Sequence, residues 1–229
     1  MSARKKQSLP LDVRAHNFCA PYTNREDPHG YMGQVLYHHG HYVASDGRLL
    51  AVVRDPLPAE RSEWDPEVPR NAHSGMLIGQ RVMDWQRTLI PPAKIHTQIH
   101  LDREWCLAAL AFLSRAGTIC ARREGKKSPP LLDMTLAWTN KTIEISLDGQ
   151  LAQFVRWPYR KANRIGCAVV GIAPALFKRA LEAFDTDEVI LNYQGDPDLS
   201  FALSEPPVLR GLGGQIIMNP RIRRVLVEE

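Results

Sequence analysis

The stretch Pro174-Ala-Leu-Phe-Lys-Arg-Ala-Leu-Glu-Ala-Phe-Asp-Thr-Asp-Glu-Val-Ile-Leu-Asn-Tyr193 changes its apolar period along its length. Leu176, Phe177, Ala180, Leu181 and Phe184 recur at helical spacing. Pro174 suits the first helical turn, where a missing N–H loses no bond. Val189, Leu191 and Tyr193 then alternate, the pattern of a strand with one buried face. Alternation resumes at Leu199, Phe201 and Leu203, and a last short strand is expected at Gln215–Met218. One amphipathic helix feeding successive short strands points to an α+β unit with antiparallel sheets and helices packed on one face.

The residues before this stretch carry the same order of elements. Asp102 is placed to cap a helix whose apolar residues are Trp105, Ala108, Ala109, Phe112, Leu113 and Ala116, and Gly117 is its expected stop. Leu132, Met134, Leu136 and Trp138 alternate, as do Ile143, Ile145 and Leu147, with Thr139-Asn140-Lys141 as the turn between them. Further strands are expected at Leu151–Arg156 and Gly166–Ile172. Residues 100–222 therefore use one pattern of helix and strands twice, a structural repeat without a sequence repeat.

Nearer the start the signals thin out. Residues 1–10 read as a loose tail, and 11–30 show no clear long helix. Tyr31–Tyr37 and Tyr42–Val53 are rich in β-branched and aromatic residues, with Asp46-Gly47 suited to a tight turn. Residues 55–75 carry Pro56, Pro58, Pro66 and Pro69 among charges and read as a surface loop. A strand is expected at Met76–Val82, then a linker to Pro91-Pro92. The expected organisation is a tail (1–10), a shortened domain (11–92), a complete domain (93–222) and a second tail (223–229).

Composition narrows the function classes. Apolar residues make up 44% and charged residues 24% of 229, ordinary for a soluble globular chain. No apolar run reaches the roughly 18 residues of a membrane span, and no apolar core follows the basic start, so a cytoplasmic protein without membrane contact is expected. Cys19, Cys106, Cys120 and Cys167 form no Cys-x-x-Cys pair, which argues for reduced buried thiols rather than a zinc site or disulfide framework. The net charge, 29 − 25 = +4, allows a polyanion partner without requiring one. Two basic clusters sharpen this: Arg103, Arg115, Arg122, Arg123, Lys126 and Lys127, and then Arg156, Arg160, Lys161 and Arg164.

Four segments, in order, resemble one family. Ala44-Ser-Asp-Gly-Arg-Leu-Leu-Ala51 is similar to the Ala-Thr-Asp-Gly-His-Arg-Leu-Ala signature of the bacterial DNA sliding clamp, the beta subunit of the replicative DNA polymerase III. Met83-Asp-Trp-Gln-Arg-Thr-Leu-Ile-Pro91 resembles the clamp's Pro-Asp-Tyr-x-Arg-Val-Ile-Pro linker. Ile172 to Glu205 is similar to the final helix and hairpin of the clamp's last domain, and Gln215-Ile-Ile-Met-Asn-Pro-Arg-Ile222 to its closing Val-Val-Met-Pro-Met-Arg-Leu. Together they span about residues 11–222. There are departures: clamp subunits carry three domains, this chain has a proline-rich loop where a second helix is expected, and its closing motif reads Met-Asn-Pro.

The resemblance implies a clamp fold and a processivity factor in DNA replication, a homo-oligomer with no catalytic residue, cofactor or metal. Its helices would line a hole and offer Arg115, Arg122, Arg123, Lys178 and Arg179 to the phosphates of duplex DNA, contacts that carry no sequence information. It also implies docking of short peptides from polymerases or repair proteins at Ser45, Gly47, Arg48, Leu50, Pro91, Met218, Asn219, Pro220, Arg221 and Ile222. The plainer readings are a solvated charged face on any amphipathic helix, and ordinary core for Leu50, Met218 and Ile222.

Two other readings stand beside it. One is a clamp-derived module that binds peptides without encircling DNA. The other is a metal-dependent enzyme, suggested by His29, His38, His39 and His41. His39 and His41 would share a strand face, but a turn at Gly40 breaks that geometry and no carboxylate or cysteine sits at ligand spacing. Asp185, Asp187 and Glu188 lie at a helix–strand turn, where acids are common for local reasons. Gly211-Leu-Gly-Gly214 lacks a following helix and reads as a loop, not a phosphate cradle.

Overall fold

The computed structural model describes residues 10–26, 32–79, 82–123, 134–138, 142–147, 155–158, 161–162, 170–172, 174–195, 200–206 and 213–218, with side chains for all but 113–114, 116–123 and 134–174. The chain divides into two compact units, Met1–Asp84 with Pro207–Gln215, and Trp85–Pro206 with Ile216–Glu229.

The first unit opens with helix α1 (Leu11–Cys19), which passes into a single 3-10 turn at Ala20–Tyr22. Its buried residues, Ala15, Phe18, Cys19 and Tyr22, stand at positions i, i+3, i+4 and i+7. Sequence reading left this region without a helix because Arg14, His16 and Asn17 interrupt a stripe that has only four members. The stripe rests on a sheet of β1 (Leu36–His38), β2 (His41–Ser45), β3 (Leu49–Arg54) and β4 (Arg70–Asn71), ordered β4-β1-β2-β3. Cys19 Sγ lies 3.5 Å from the Tyr42 carbonyl oxygen and 3.9 Å from that of Ala51, so the thiol is sealed between helix and strands. Burial raises its pKa well above the ordinary thiol range, and the same holds for Cys106. Phe18 also explains a glycine: a Cβ on Gly214 would stand 2.7 Å from Phe18 Cζ, so only glycine lets the backbone cross the ring face.

The strand expected from Tyr31 starts only at Leu36, and that expected at Met76–Val82 is reduced to a single bridge, Arg70↔Leu77. Met76 and Leu77 are exposed. The larger correction concerns residues 55–75. The proline-rich segment is not a plain surface loop. Asp55 has a side chain with no exposed area, and the half-turn Pro58–Arg61 drives Arg61 back against the sheet. Arg61 Nη1 lies 3.3 Å and 3.4 Å from the two Asp55 oxygens. The Arg61 guanidinium carbon lies 5.5, 5.3 and 5.7 Å from the ring centres of Tyr37, Tyr42 and Trp64. Tyr37 donates its hydroxyl to Asp55 Oδ2 at 2.9 Å, and burial plus this carboxylate push its pKa up to about 12.

The second unit begins with a 3-10 turn, Trp85–Thr88, whose Trp85 is fully buried. Then come β5 (Thr97–Asp102), α2 (Arg103–Arg123), β6 (Met134–Trp138), β7 (Thr142–Leu147), β8 (Val155–Pro158), β9 (Lys161–Ala162), β10 (Val170–Ile172), α3 (Pro174–Glu182), β11 (Glu188–Tyr193), β12 (Phe201–Ser204) and β13 (Gln215–Met218). One sheet runs β13-β12-β11-β5-β9 and a second β10-β6-β7-β8. Neighbouring strands pair antiparallel, as in Leu191↔Ile99 and Leu136↔Ile145. The α+β class with antiparallel sheets and helices packed against them is therefore what the chain adopts.

Strand β5 was missed, although Thr97, Ile99 and Leu101 are buried and alternate with half-buried Gln98, His100 and Asp102. Trp105 N donates to Asp102 Oδ1 at 3.0 Å, so the expected cap is in place. Helix α2 does not stop at Gly117 but continues to Arg123. Glycine ends a helix only in a left-handed conformation; in an interior it costs about 1 kcal/mol, which tertiary packing overrides. The buried face of α2 includes Cys106, Ala109 and Leu110, whereas Ala108 and Phe112, members of the apolar helical pattern, are exposed. In α3, Phe177, Ala180 and Leu181 are buried as expected, as is Phe184 just beyond its end, while Leu176 is half-buried.

The Asp55 cluster sets two tyrosines apart. Tyr37→Phe removes a side-chain hydroxyl donor from a buried carboxylate and should cost about 1–2 kcal/mol. The Tyr42 hydroxyl is buried with no partner among the described residues, so Tyr42→Phe should leave stability unchanged or raise it by up to about 1 kcal/mol. Urea denaturation with an unchanged slope checks both, and equal losses would contradict this account.

Candidate functional site

Two places gather the residues singled out from sequence. The first is the tip of the β2–β3 hairpin. Strand register pairs Ser45 with Leu50, leaving Asp46, Gly47 and Arg48 to turn the chain. Asp46 Oδ1 accepts from the backbone N–H of Arg48 (2.9 Å) and Leu49 (2.8 Å), and Ser45 Oγ accepts from Gly47 N–H (3.1 Å). Gly47 adopts φ +80, which explains glycine after the aspartate. The outcome is a rigid tip with Ser45 and Leu50 buried and Gly47 and Arg48 exposed.

The remaining members of the expected peptide-docking set lie in the second unit. Pro91 is exposed ahead of a short 3-10 turn, Pro92–Lys94, and Met218 is buried at the end of β13. Asn219, Pro220, Arg221 and Ile222 lie outside the described residues.

The second place is the helix pair α2 and α3, which pack on one another. Arg103, at the start of α2, donates through Nε to the Leu181 carbonyl oxygen at 2.9 Å, in the last turn of α3. A cation on a carbonyl that a helix end leaves unpaired both satisfies it and opposes the helix dipole. The same residue's backbone N–H meets the Asp187 carbonyl at 3.0 Å. Arg115 is exposed on α2, Lys178 is exposed on α3, and Arg179 is half-buried beside it. Lys178 Nζ stands 3.4 Å from Glu182 Oε1, one turn on. An exposed pair of this kind contributes only a few tenths of a kcal/mol, about 0.3–0.5, so a phosphate competes for the ammonium readily. Arg122 and Arg123 lie in the last turn of α2, and their side chains are outside the described residues.

The histidines do not share a strand face. His39 and Gly40 are the two turn residues between β1 and β2, with φ 51 and 69, and His38 pairs with His41 across the turn. Both positive φ values match the hairpin turn whose twist suits the strands. Among the described residues, no group of three or more His, Cys, Asp or Glu is placed to hold a metal ion, and no helix is long and apolar enough to cross a membrane.

A Cβ on Gly47 would meet nothing within 4 Å, so Gly47→Ala tests conformation alone. The expected loss is about 1 kcal/mol, read by thermal denaturation, and a loss above about 3 kcal/mol would mean that the tip is packed rather than free.

No protein-family model matches the chain, and no curated protein does. Solved structures do. The Helicobacter pylori beta clamp in complex with diflunisal aligns with a TM-score of 0.62 at 16% identity, over 92% of this chain and 64% of that one. The DNA polymerase III subunit beta from Pseudomonas aeruginosa aligns at 0.63 and 14%, over 97% of this chain and 70% of that one. The Thermotoga maritima beta subunit aligns at 0.65 and 12%, with the same 97% and 70%. The chain thus spans about two thirds of the length of the structures it matches. Likeness at this identity speaks to the fold, and over nearly its whole described length this chain has the α+β fold of the bacterial DNA polymerase III beta subunit, the sliding clamp.

Proposed function

We propose that the chain acts as a sliding-clamp-type protein, holding duplex DNA through non-specific phosphate contacts and docking polymerase or repair partners through short peptides. The observation that carries this reading is the clamp fold over 92–97% of the chain, with exposed cations on both of two packed helices, Arg115 on α2 and Lys178 on α3. No bond is made or broken in this reading. Arg115, Lys178, Arg179 and, at the end of α2, Arg122 and Arg123 offer charge to phosphates, which repeat regularly along any sequence, so the protein can hold DNA and still move along it. Peptide docking is assigned to Ser45, Gly47, Arg48, Leu50, Pro91, Met218, Asn219, Pro220, Arg221 and Ile222. Short motifs suit surfaces that offer a few apolar anchors among polar groups. Encirclement requires more than one copy, so the reading includes a homo-oligomer serving replication.

A second reading is a clamp-derived peptide-binding module, since the likeness extends over 64% of the H. pylori clamp and not the whole of it. A clamp-derived module could keep peptide docking and lose encirclement. The two readings part on one experiment. A ring stays on nicked circular DNA and is lost when the circle is cut, and light scattering gives a closed oligomer. A monomer at micromolar concentration, with no retention on the circle but with binding to a polymerase-type peptide, favours the module. In the ring reading, replacing Arg115 and Lys178 together by alanine removes two phosphate contacts. The slope of log K against log salt should then fall by about 1.8 for each copy that contacts DNA, at roughly 0.9 per contact, without change in oligomeric state. An unchanged slope excludes these residues from the DNA face.

A further inference from the structure

Residues 69–79 belong to neither the phosphate-facing nor the peptide-docking set, and they leave a sheet edge open. Beyond β4 the chain turns back on itself. Gly75 N–H donates to the Asn71 carbonyl at 2.9 Å, and Asn71 Oδ1 accepts from the His73 and Ser74 N–H groups at 2.9 and 2.7 Å. Gly75 takes φ +71, and Arg70 Nη1 donates to its carbonyl at 3.1 Å, so the turn is fixed at its closing end as well. The returning arm, Met76 to Ile78, lies along β4. Asn71 N–H donates to the Met76 carbonyl at 2.8 Å and Ile78 N–H to that of Pro69 at 2.9 Å, on either side of the Arg70↔Leu77 bridge. Backbone groups alternate sides along an extended strand, so those of Leu77 point away from β4. They have no hydrogen-bond partner among the described residues. Met76 is 70% and Leu77 60% exposed, the highest values among the described large hydrophobic residues.

We infer that this arm is a self-association edge: two copies pair antiparallel about a two-fold axis at Leu77, each Leu77 N–H donating to the other's carbonyl. The register is self-complementary. It sets Leu77 against Leu77 on one face of the pair and Met76 against Ile78 twice on the other, so apolar side chains meet apolar side chains on both faces. Edge strands that stay single are normally guarded by charge, proline or a covering element. Here no Asp, Glu, Lys or Arg lies between Arg70 and Arg81, so pairing sets no like charges opposite one another along the arm. That uncharged run favours a second copy over a partner recognised by charge. A two-fold contact uses the same patch on both copies, so it closes at a dimer instead of building a fibre. The pairing supplies one subunit contact for the proposed homo-oligomer but does not require that DNA be held.

A contact this small falls in the weak class of interfaces, so it is sought at about 100 µM. Sedimentation of the full chain should show a dimer there that dissociates on dilution. Leu77→Lys and Leu77→Glu, both at an exposed position, should each weaken self-association at least about fivefold, because like charges replace an apolar contact. An equimolar mixture of the two should associate at least about fivefold more tightly than either alone. A monomeric unaltered chain at that concentration overturns self-pairing and leaves the edge to an extended segment of another protein. Equal association of the unaltered chain and both variants also overturns it, since the contact then lies elsewhere, and so does a mixture no tighter than its parts. Should the variants not fold, hydrogen exchange at the Leu77 amide of the unaltered chain decides. Exchange at least about fivefold slower at about 100 µM than at about 1 µM supports the pairing, and equal exchange overturns it. Retention on circular DNA is scored separately, so a dimer without retention counts against the clamp and not against this edge.

Discussion

A carboxylate without water organises the first unit. Asp55 is fully shielded, and such a group is costly unless opposite charge and hydrogen bonds surround it. Arg61 supplies the charge, Tyr37 a hydroxyl, and the Leu57 N–H donates to Asp55 Oδ1 at 2.9 Å. Arg61 Nη2 also lies 3.9 Å from Asp12 of α1. Removing one partner of a buried pair typically costs about 3–5 kcal/mol, comparable to burying two large side chains. The segment 55–75 adds little to the apolar core beyond Ala72 and the ring of Trp64. The ion pair, enclosed by Tyr37, Tyr42 and Trp64, is what fixes it against a sheet whose first two strands are short.

The second unit is held together differently. Its helices bury apolar faces, and its polar requirements are met at the element ends and between strands. Arg103 closes the end of α3, and Asp102 caps α2. Asn192, buried in β11, accepts from Gln98 of β5 at 2.9 Å and donates to Ser204 of β12 at 2.8 Å. This polar crossbar fixes strand register where the apolar pattern alone would tolerate a slip. The helices that carry Arg115 and Lys178 are therefore placed by packing and capping, not by the charges they display.

That difference explains what could be read in advance. Helix α3 and strands β11 and β12 were legible because period and burial coincide at Phe177, Ala180, Leu181 and Phe184 and then along Val189 to Tyr193. Helix α1 was not, since Ala15, Phe18, Cys19 and Tyr22 form a single stripe among polar residues, although their spacing carried the signal. Strand β5 was passed over although Thr97, Ile99 and Leu101 alternate as clearly as later strands do. Phe112 belongs to the apolar pattern of α2 yet is exposed, because hydrophobicity does not say which side of a helix another element will cover. Of the residues singled out from sequence, Ser45 to Leu50 sit together at one hairpin tip, since Asp46-Gly47 encodes its own turn.

What the sequence determined by itself is local: caps, turns and periods that act within a few residues, and through them the α+β class and the order of most elements. The Asp46-Gly47 turn and the Asp102 cap need no distant partner. The tertiary structure alone decided which charges are shielded and which are exposed. Asp55 and Arg61 look like loop charges until Tyr37, Tyr42 and Trp64 enclose them, and His39 looks like a strand residue until its backbone turns left-handed. Burial depends on elements far apart along the chain, and a charge takes its meaning from its surroundings. The fold was therefore largely open to a reading of neighbours, while the cluster that holds the first unit together was not.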